Sequence, residues 1–398
     1  MGDKKFVIVV GDGMADYPVE ELGGRTPLEV ADKPNMDYLA SEGKVGRIST
    51  IPQGMAKDSA VAALSILGYD PKKYFTGRGP LEAGSMGIDL GPKDVAFRCN
   101  LVTEREGKLV DYSGGCVTTE EAAQLLAELQ RQGLGEFHLG VSYRHIFVLR
   151  NANISEGCSP PHEIVGEPIS EHLIKSKDKV SQDLNRLILA SRDILGSHPV
   201  NLRRLKQGKN PANMVWLWSP GKRPNLVSFE KRYGIKGAII SAVNVINGIG
   251  AWAGMEILKV PGATGYYDTN YEGKADYALK ALRRRNLVLI HVEAPDEAGH
   301  AGDAEMKIKA IEDLDRRLLG RIIKKSREDV VSVLPDHPTP IKVRAHTSDP
   351  VPFAVFVPGA RGDGLRFTEA DAERGSLGLI KGSEFMKLVL SLGSAGGH

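Results

Sequence analysis

The sequence predicts an α/β core, a sheet flanked by helices, with a smaller α+β module inserted into it. Three observations support this reading. Short apolar runs rich in β-branched residues lie near both ends of the chain, at residues 6–10, 286–292 and 330–334, and each stops at an acidic or Asp/His cluster. Segments of helical periodicity separate them, as in open α/β sheets, which keep their sites at the C-terminal ends of their strands. The middle of the chain has a different texture, with paired alternating runs and amphipathic helices in βαββα order. Ordinary domain sizes then divide the 398 residues into a discontinuous core, 1–95 and 201–398, and an insertion, 96–200.

Taken in order, Phe6-Val7-Ile8-Val9-Val10 is a buried strand that delivers Asp12 within Gly11-Asp12-Gly13-Met14. Helices start at Thr26-Pro27 and at Pro34, with Pro in the first turn, and Gly43 ends the second. Lys57-Asp58-Ser59 precedes an Ala/Leu-rich helix over 60–67 that stops at Gly68. Ser59 therefore sits at a helix N-terminus, where unpaired N–H groups and the dipole favour an oxyanion or phosphate. In the module, residues 98–103 and 108–113 flank Glu106-Gly107 as a hairpin, a helix runs from Thr118 to about Gln132, residues 137–150 alternate as paired strands, and 180–195 form an amphipathic helix. The core resumes with strands over 238–243 and 255–260 and a helix over about 273–285. Two further strands lead into Glu293-Ala294-Pro295-Asp296-Glu297-Ala298-Gly299-His300 and Pro335-Asp336-His337. Between them, the charge-alternating helix over 305–325 reads as a solvated face on which Asp313 and Asp315 are structural, and the tail over 393–397 is expected to fray.

Composition bounds the function classes. The 41% hydrophobic content supports a sizeable core, and 52 Lys+Arg against 50 Asp+Glu leave the chain near neutrality, without the basic stripe that nucleic acid binding needs. Small molecules are the expected partners. The first apolar run is too short for a secretion signal and no stretch reaches the length of a membrane span, so a cytoplasmic location is expected. Cys99, Cys116 and Cys158 share no metal-binding spacing and suit a reducing compartment. Gly248 to Gly254 imitates a dinucleotide loop but follows no immediate strand, and there is no P-loop.

The chemistry rests on Asp12, Ser59, Asp296, His300, Asp336, His337 and His346. Singly, Asp12 is a turn residue, Ser59 an N-cap with Asp58, and His346 a loop histidine. Together they form a mixed carboxylate and imidazole set, which suits Mn²⁺ or Zn²⁺ better than Ca²⁺. Asp296 and His300 share one face if their segment is helical, although Gly299 equally allows a turn. Asp336 and His337 diverge along a strand, but at a strand end they can serve one ion or bridge two. Two ions can clamp the attacking and leaving oxygens of phosphoryl transfer. Other histidines, including His138, His172, His198 and His291, belong to no such cluster and are read as structural or surface residues.

These segments, with Arg25-Thr26-Pro27-Leu28-Glu29, Gly77-Arg78-Gly79-Pro80-Leu81-Glu82-Ala83 and His346-Thr347-Ser348-Asp349-Pro350, closely resemble the cofactor-independent phosphoglycerate mutases along essentially the whole chain. The resemblance is to their archaeal-type branch, within the alkaline phosphatase superfamily, and implies an alkaline-phosphatase-like core. It implies that Ser59 becomes a phosphoserine, that Asp12, Ser59, Asp336 and His337 hold one divalent ion, and that Asp296, His300 and His346 hold a second. Mn²⁺ is the first choice, with Zn²⁺, Co²⁺ or Mg²⁺ as alternatives, and no 2,3-bisphosphoglycerate is needed. The module would close over the ions and clamp the substrate, with Arg98, Arg144, His162, Arg203 and Arg204 as candidate contacts. The chain differs from the common pattern around the nucleophile, where its acid, Asp58, precedes the serine and Ala60 follows. Residues 11–16 and 291–300 also resemble a bacterial subgroup proposed to act as homoserine kinases, so a phosphotransferase using ATP is the alternative. A metal-stabilised non-catalytic relative is a third reading, and an open site acting as a phosphohydrolase is a variant of the first.

Overall fold

The computed structural model describes residues 4–395. Two compact units divide between Phe75 and Thr76 and between Pro224 and Asn225. The module is thus wider than the 96–200 expected from the sequence. The physical reason is pairing: Val95 to Val102 lie along Lys222 to Met214 in antiparallel register, and the helix Arg78–Ser85 packs on these same two strands.

In chain order the strands are β1 (Phe6–Gly11), β2 (Lys44–Ser49), β3 (Val95–Arg105), β4 (Lys108–Asp111), β5 (Glu136–Val141), β6 (Arg144–Leu149), β7 (Met214–Lys222), β8 (Gly237–Ile240), β9 (Glu256–Ile257), β10 (Leu287–Val292), β11 (Val330–Pro335), β12 (Val351–Phe356) and β13 (Leu379–Lys381). The core sheet runs β13-β2-β12-β11-β1-β10-β8-β9. Its centre, β11-β1-β10-β8, is parallel, and β1, β10 and β11 are buried throughout, which explains why they read as unbroken apolar runs. Gly11 pairs with both Val292 and Pro335, so the next residues, Asp12, Glu293 and Asp336, leave the sheet level with one another.

Two helices complete this edge. Ala294–Ala301 follows β10 at once, opens with Pro295 in its first turn and stops at Gly302, whose φ of 72° is the left-handed C-terminal stop. Ser59–Ile66 starts one residue earlier than expected, because the Asp58 carboxylate accepts the Ala60 N–H at 2.8 Å and is itself the N-cap. Ser59 is the first helical residue rather than the cap.

The segment over 305–325 departs from expectation. The helix Ala304–Asp313 passes through a π-helical stretch, Leu314–Leu319, into Gly320–Lys325, and Asp315 is fully buried rather than solvated. Its carboxylate accepts the backbone N–H of Asn35 at 3.2 Å and of Met36 at 2.7 Å. Helix Pro34–Glu42 is preceded by Lys33, a donor that cannot cap, so the acceptor comes from elsewhere in the fold. At the end of the chain the residues expected to fray are helical up to Ala395, within Phe385–Ala395, and 396–397 lie outside the described range. Among the described residues no helix is long and apolar enough to cross a membrane.

The module has its own core, in which Phe97, Leu101, Leu125, Phe147, Ile188 and Trp216 meet between its sheet and the helices Thr119–Arg131 and Lys179–Gly196. The expected hairpin is present, with Thr103 opposite Asp111 and with Glu106 and Gly107 at φ of 52° and 78°. On β6, His145 is buried and its Nδ1 accepts the Gly140 N–H at 3.1 Å, which leaves the ring neutral. Burial pushes its pKa down to about 4. In the unfolded chain the same group protonates near 6.5, so the stability it permits is lost as pH falls from 6.5 towards 4, by about 3 kcal/mol. Replacing it, as His145→Phe, is expected to flatten the acid limb of the module's unfolding free energy by that amount, measured by denaturant titrations at pH 7, 5.5 and 4.

Candidate metal centre

Three histidines arrive from different backbone positions and turn the same ring atom inward. His300 Nδ1 donates to the Arg344 carbonyl at 3.0 Å, and His346 Nδ1 to the Lys57 carbonyl at 3.0 Å. His337 Nδ1 lies 3.3 Å from Thr339 Oγ1. With each Nδ1 engaged, the Nε2 atoms converge: His300 and His346 are 2.9 Å apart there, and the His337 and His346 rings stack at 4.0 Å. Two N–H groups cannot face each other at that separation, so the pair has room for at most one proton between them. A cation would satisfy both lone pairs, and an outer partner on the second nitrogen is how metal-binding histidines are commonly held.

The carboxylates make the same demand. Asp296 Oδ2 is 3.3 Å from His300 Nε2, and its Oδ1 is 3.4 Å from His346 Nε2. Asp12 Oδ1 and Asp336 Oδ2 each lie 3.4 Å from His337 Nε2, and neither buried oxygen has a hydrogen-bond donor. The atoms of Asp12, Asp336 and His337, and those of Asp296, His337 and His346, form two groups of metal-binding dimensions that share His337. Ser59 Oγ stands 3.1 Å from His337 Nε2. All seven residues singled out in the sequence are therefore brought to one place, and the donor set fits two divalent ions.

Electrostatics agree. Burial and repulsion from Asp336, Asp296 and Glu293 push the Asp12 carboxyl well above the usual carboxylate range. Burial also opposes ionisation of Asp296, but hydrogen bonds from His300 and His346 outweigh it and hold that group well below its ordinary value. The bond with Asp296 in turn raises His300 to about 9. The Asp296 carboxylate is thus supported by imidazoles, whereas ionisation of Asp12 has no compensating positive charge beside it.

The backbone leaves little slack. Gly13 has φ of 59°, and a Cβ there would clash with Asp296 Oδ1 and Thr339 Oγ1, so the loop after β1 tolerates no side chain. Arg344 also adopts a left-handed φ, 57°, in the turn that presents its carbonyl to His300.

The expected substrate contacts have different fates in the module. Arg98 is buried, its Nε 3.1 Å from Glu82 and its guanidinium 4.3 Å over the Trp218 ring. Burial pulls it down to about 10, and the charges of Arg78 and Arg144 act in the same direction. His162 packs 5.7 Å from the same Trp218 ring, with Arg98 and Arg78 bearing on it. Arg144 is exposed over Tyr143. Arg78, Arg98, Arg144 and His162 thus form one basic, aromatic-lined cluster. Arg204 lies outside this cluster. It is 2% exposed, and its nitrogens donate to Glu121 and to the carbonyls of Asn210, Gly114 and Gly115, which ties a loop to its helix. Arg203 is exposed on that helix, with its charge felt at His198.

Sequence reasoning missed Arg78, Thr339, Lys307 and His291. Far from being a surface or isolated structural residue, His291 is buried beside the carboxylates, Nε2 3.5 Å from Asp12 Oδ2. The available signal was its place at the end of an apolar strand that leads into an acidic cluster, where a buried polar residue needs a reason.

Residues 40–201 match the family described as 2,3-bisphosphoglycerate-independent phosphoglycerate mutase. A protein of Methanothermobacter thermautotrophicus with that name, numbered 2, is 50% identical, over 97% of each chain. A solved structure from Pyrococcus horikoshii superimposes with a TM-score of 0.84 at 32% identity, over 98% of each chain. A cofactor-independent phosphoglycerate mutase from Thermoplasma acidophilum gives 0.68 at 30% identity, over 98% of this chain and all of its own. With a half-identical relative matched almost end to end and a shared fold around the clustered carboxylates and histidines, the chain belongs to the 2,3-bisphosphoglycerate-independent phosphoglycerate mutase family.

Proposed function

We propose that the protein interconverts 3-phosphoglycerate and 2-phosphoglycerate through a phosphoserine at Ser59, as a step of glycolysis and gluconeogenesis in the cytoplasm. The observation that carries this reading is the placement of Ser59 Oγ 3.1 Å from Nε2 of His337, the residue common to both groups of candidate ligands. One ion would lie among Asp12, Ser59, Asp336 and His337 and the other among Asp296, His300 and His346. Such ions, Mn²⁺ being the best match to the mixed oxygen and nitrogen set, lower the pKa of a hydroxyl and neutralise charge on a transferring phosphoryl group.

Ser59 Oγ attacks phosphorus, the bond from phosphorus to the 3-oxygen breaks, and the proton lost by the serine balances the one gained by the departing glycerate oxygen. The 2-hydroxyl then attacks the phosphoserine and restores Ser59. Transfer to a second hydroxyl rather than to water requires that glycerate stay bound. The basic cluster of Arg78, Arg98, Arg144 and His162 is chemically suited to its carboxylate, and the clamping role of the module is part of this proposal.

Phosphorus NMR of the Mn²⁺-loaded protein tests the reading. With 3-phosphoglycerate alone, 2-phosphoglycerate is expected without added 2,3-bisphosphoglycerate; phosphohomoserine formed instead from ATP and homoserine would assign the chain to the kinase reaction. Replacement of the nucleophile, Ser59→Ala, is expected to lower turnover by roughly 10⁴-fold or more while circular dichroism and thermal unfolding remain as in the wild type. Full activity in that variant would remove Ser59 from the mechanism.

The loop after Asp336-His337 has a holding role. Thr339 Oγ1 donates to Asp296 Oδ1 at 2.5 Å, and buried Lys307 fixes this loop through the Thr339 carbonyl at 2.9 Å and Asp16 at 2.7 Å. The near-isosteric Thr339→Val keeps the packing and loses the donor. It is expected to weaken uptake of one of two Mn²⁺ ions about tenfold to a hundredfold, read by calorimetric titration of the metal-free protein.

A further inference from the structure

A buried chain of polar groups runs from the helix Tyr271–Leu282 to the metal-binding carboxylates and is used by nothing described so far. Val288, Ile290 and Val292 of β10 belong to the apolar core, so strand alternation turns His291 to the other face. There His291 Nδ1 lies 3.1 Å from Glu293 Oε1, while Nε2 lies 3.5 Å from Asp12 Oδ2 and 3.9 Å from Asp336 Oδ2. The side chain is 2% exposed, and Nε2 has no hydrogen-bond partner.

The direction of the chain follows from its donors. Glu293 Oε1 accepts the Ala242 N–H at 3.2 Å. It also accepts the Ser241 hydroxyl at 3.0 Å, whose own oxygen receives the Val243 N–H. Glu293 Oε2 faces the ammonium of Lys274 at 3.3 Å, and that ammonium also donates to the His291 carbonyl at 2.9 Å. A carboxylate oxygen surrounded by donors accepts from Nδ1 as well, so Nδ1 carries a proton and the ring orientation is set. Nε2 then faces Asp12 Oδ2 at 3.5 Å and Asp336 Oδ2 at 3.9 Å; between two carboxylate oxygens it can only be a donor, so the ring carries a second proton there that draws Asp12 Oδ2 towards it, while Asp12 Oδ1 faces His337 Nε2.

We infer that His291, oriented by Glu293, is a positioning residue that holds Asp12 Oδ2 so that Oδ1 alone serves the ion shared with Ser59, Asp336 and His337. The inference rests on the two-ion reading above. A carboxylate free to rotate can bind through either oxygen or both, and each mode moves the ion relative to the serine hydroxyl. Fixing one oxygen from behind selects a single mode without adding a ligand. Lys274 keeps Glu293 charged and in place, which explains why a lysine is fully buried behind a metal-type site.

Calorimetric titration of the metal-free full-length protein with Mn²⁺, paired with mutase kinetics and thermal unfolding, tests this. The wild type is expected to take up two ions. His291→Phe, which fills the space and cannot reach Asp12, is expected to weaken one ion tenfold to a hundredfold and to lower kcat with KM little changed. His291→Gln, whose amide N–H reaches towards Asp12, is expected to recover part of both. Glu293→Gln, which leaves His291 in place but changes its partner, is expected to weaken the same ion. Wild-type affinity for both ions in His291→Phe overturns the inference, as does equal weakening of both ions in step with a lowered Tm. Should the Phe variant fail to fold, equal losses in His291→Gln and Glu293→Gln at both ions overturn it in the same way. A wild type that binds no Mn²⁺ overturns the two-ion reading itself.

Discussion

Four buried carboxylates at one sheet edge are the constraint on which the rest of the structure depends. Asp12, Glu293, Asp296 and Asp336 are each at most 9% exposed and close enough to perturb one another's ionisation. Such a concentration of like charge is costly in a low-dielectric interior unless cations are present. The fold meets part of that cost with its own groups, Lys274 on Glu293 and the imidazoles on Asp296, and leaves the inward oxygens of Asp12 and Asp336 without donors. That selective incompleteness marks the place for divalent ions.

Parallel pairing makes the concentration achievable. Because β10, β1 and β11 are adjacent and in level register, three residues leave the sheet side by side, and each would be far from the others in any antiparallel arrangement. The candidate ligands on rigid elements, Asp296 and His300 on one helix and Ser59 at the start of another, need only those helices to be docked. His346 comes from a loop and is held through the Lys57 carbonyl, while the same loop is tied down at Thr339 by Lys307. Precise placement on irregular backbone thus relies on buried lysines used as hydrogen-bond hubs.

In the module, identical side chains serve different ends. Arg98 and Arg204 are both buried arginines, yet Arg204 is surrounded by carbonyl oxygens and Glu121, whereas Arg98 shares Glu82 with Arg78 and stacks on Trp218 beside His162. A guanidinium saturated by backbone acceptors holds the fold. One grouped with other cations against a single carboxylate retains net positive charge.

Much of this was legible in the sequence. The apolar runs ending in Asp12, Asp296 and Asp336-His337 announced strands that present their acids at one edge of an α/β sheet, and the i, i+4 spacing of Asp296 and His300 was compatible with a shared helix face, with a turn at Gly299 as the other reading. What could not be read there depended on partners distant along the chain. The module's limits followed from β7 pairing with β3, and Asp315 proved buried because it caps a helix nearly three hundred residues away in sequence, with a separation of 279 to its Met36 partner. His291 looked isolated because its partners, Asp12 and Lys274, lie on other elements. The sequence alone determined which residue types end which strands, since local periodicity and chain chemistry dictate that. Only the tertiary structure decided which oxygens and nitrogens face one another, because ligand geometry is set by strand register and long-range hydrogen bonds rather than by neighbours along the chain.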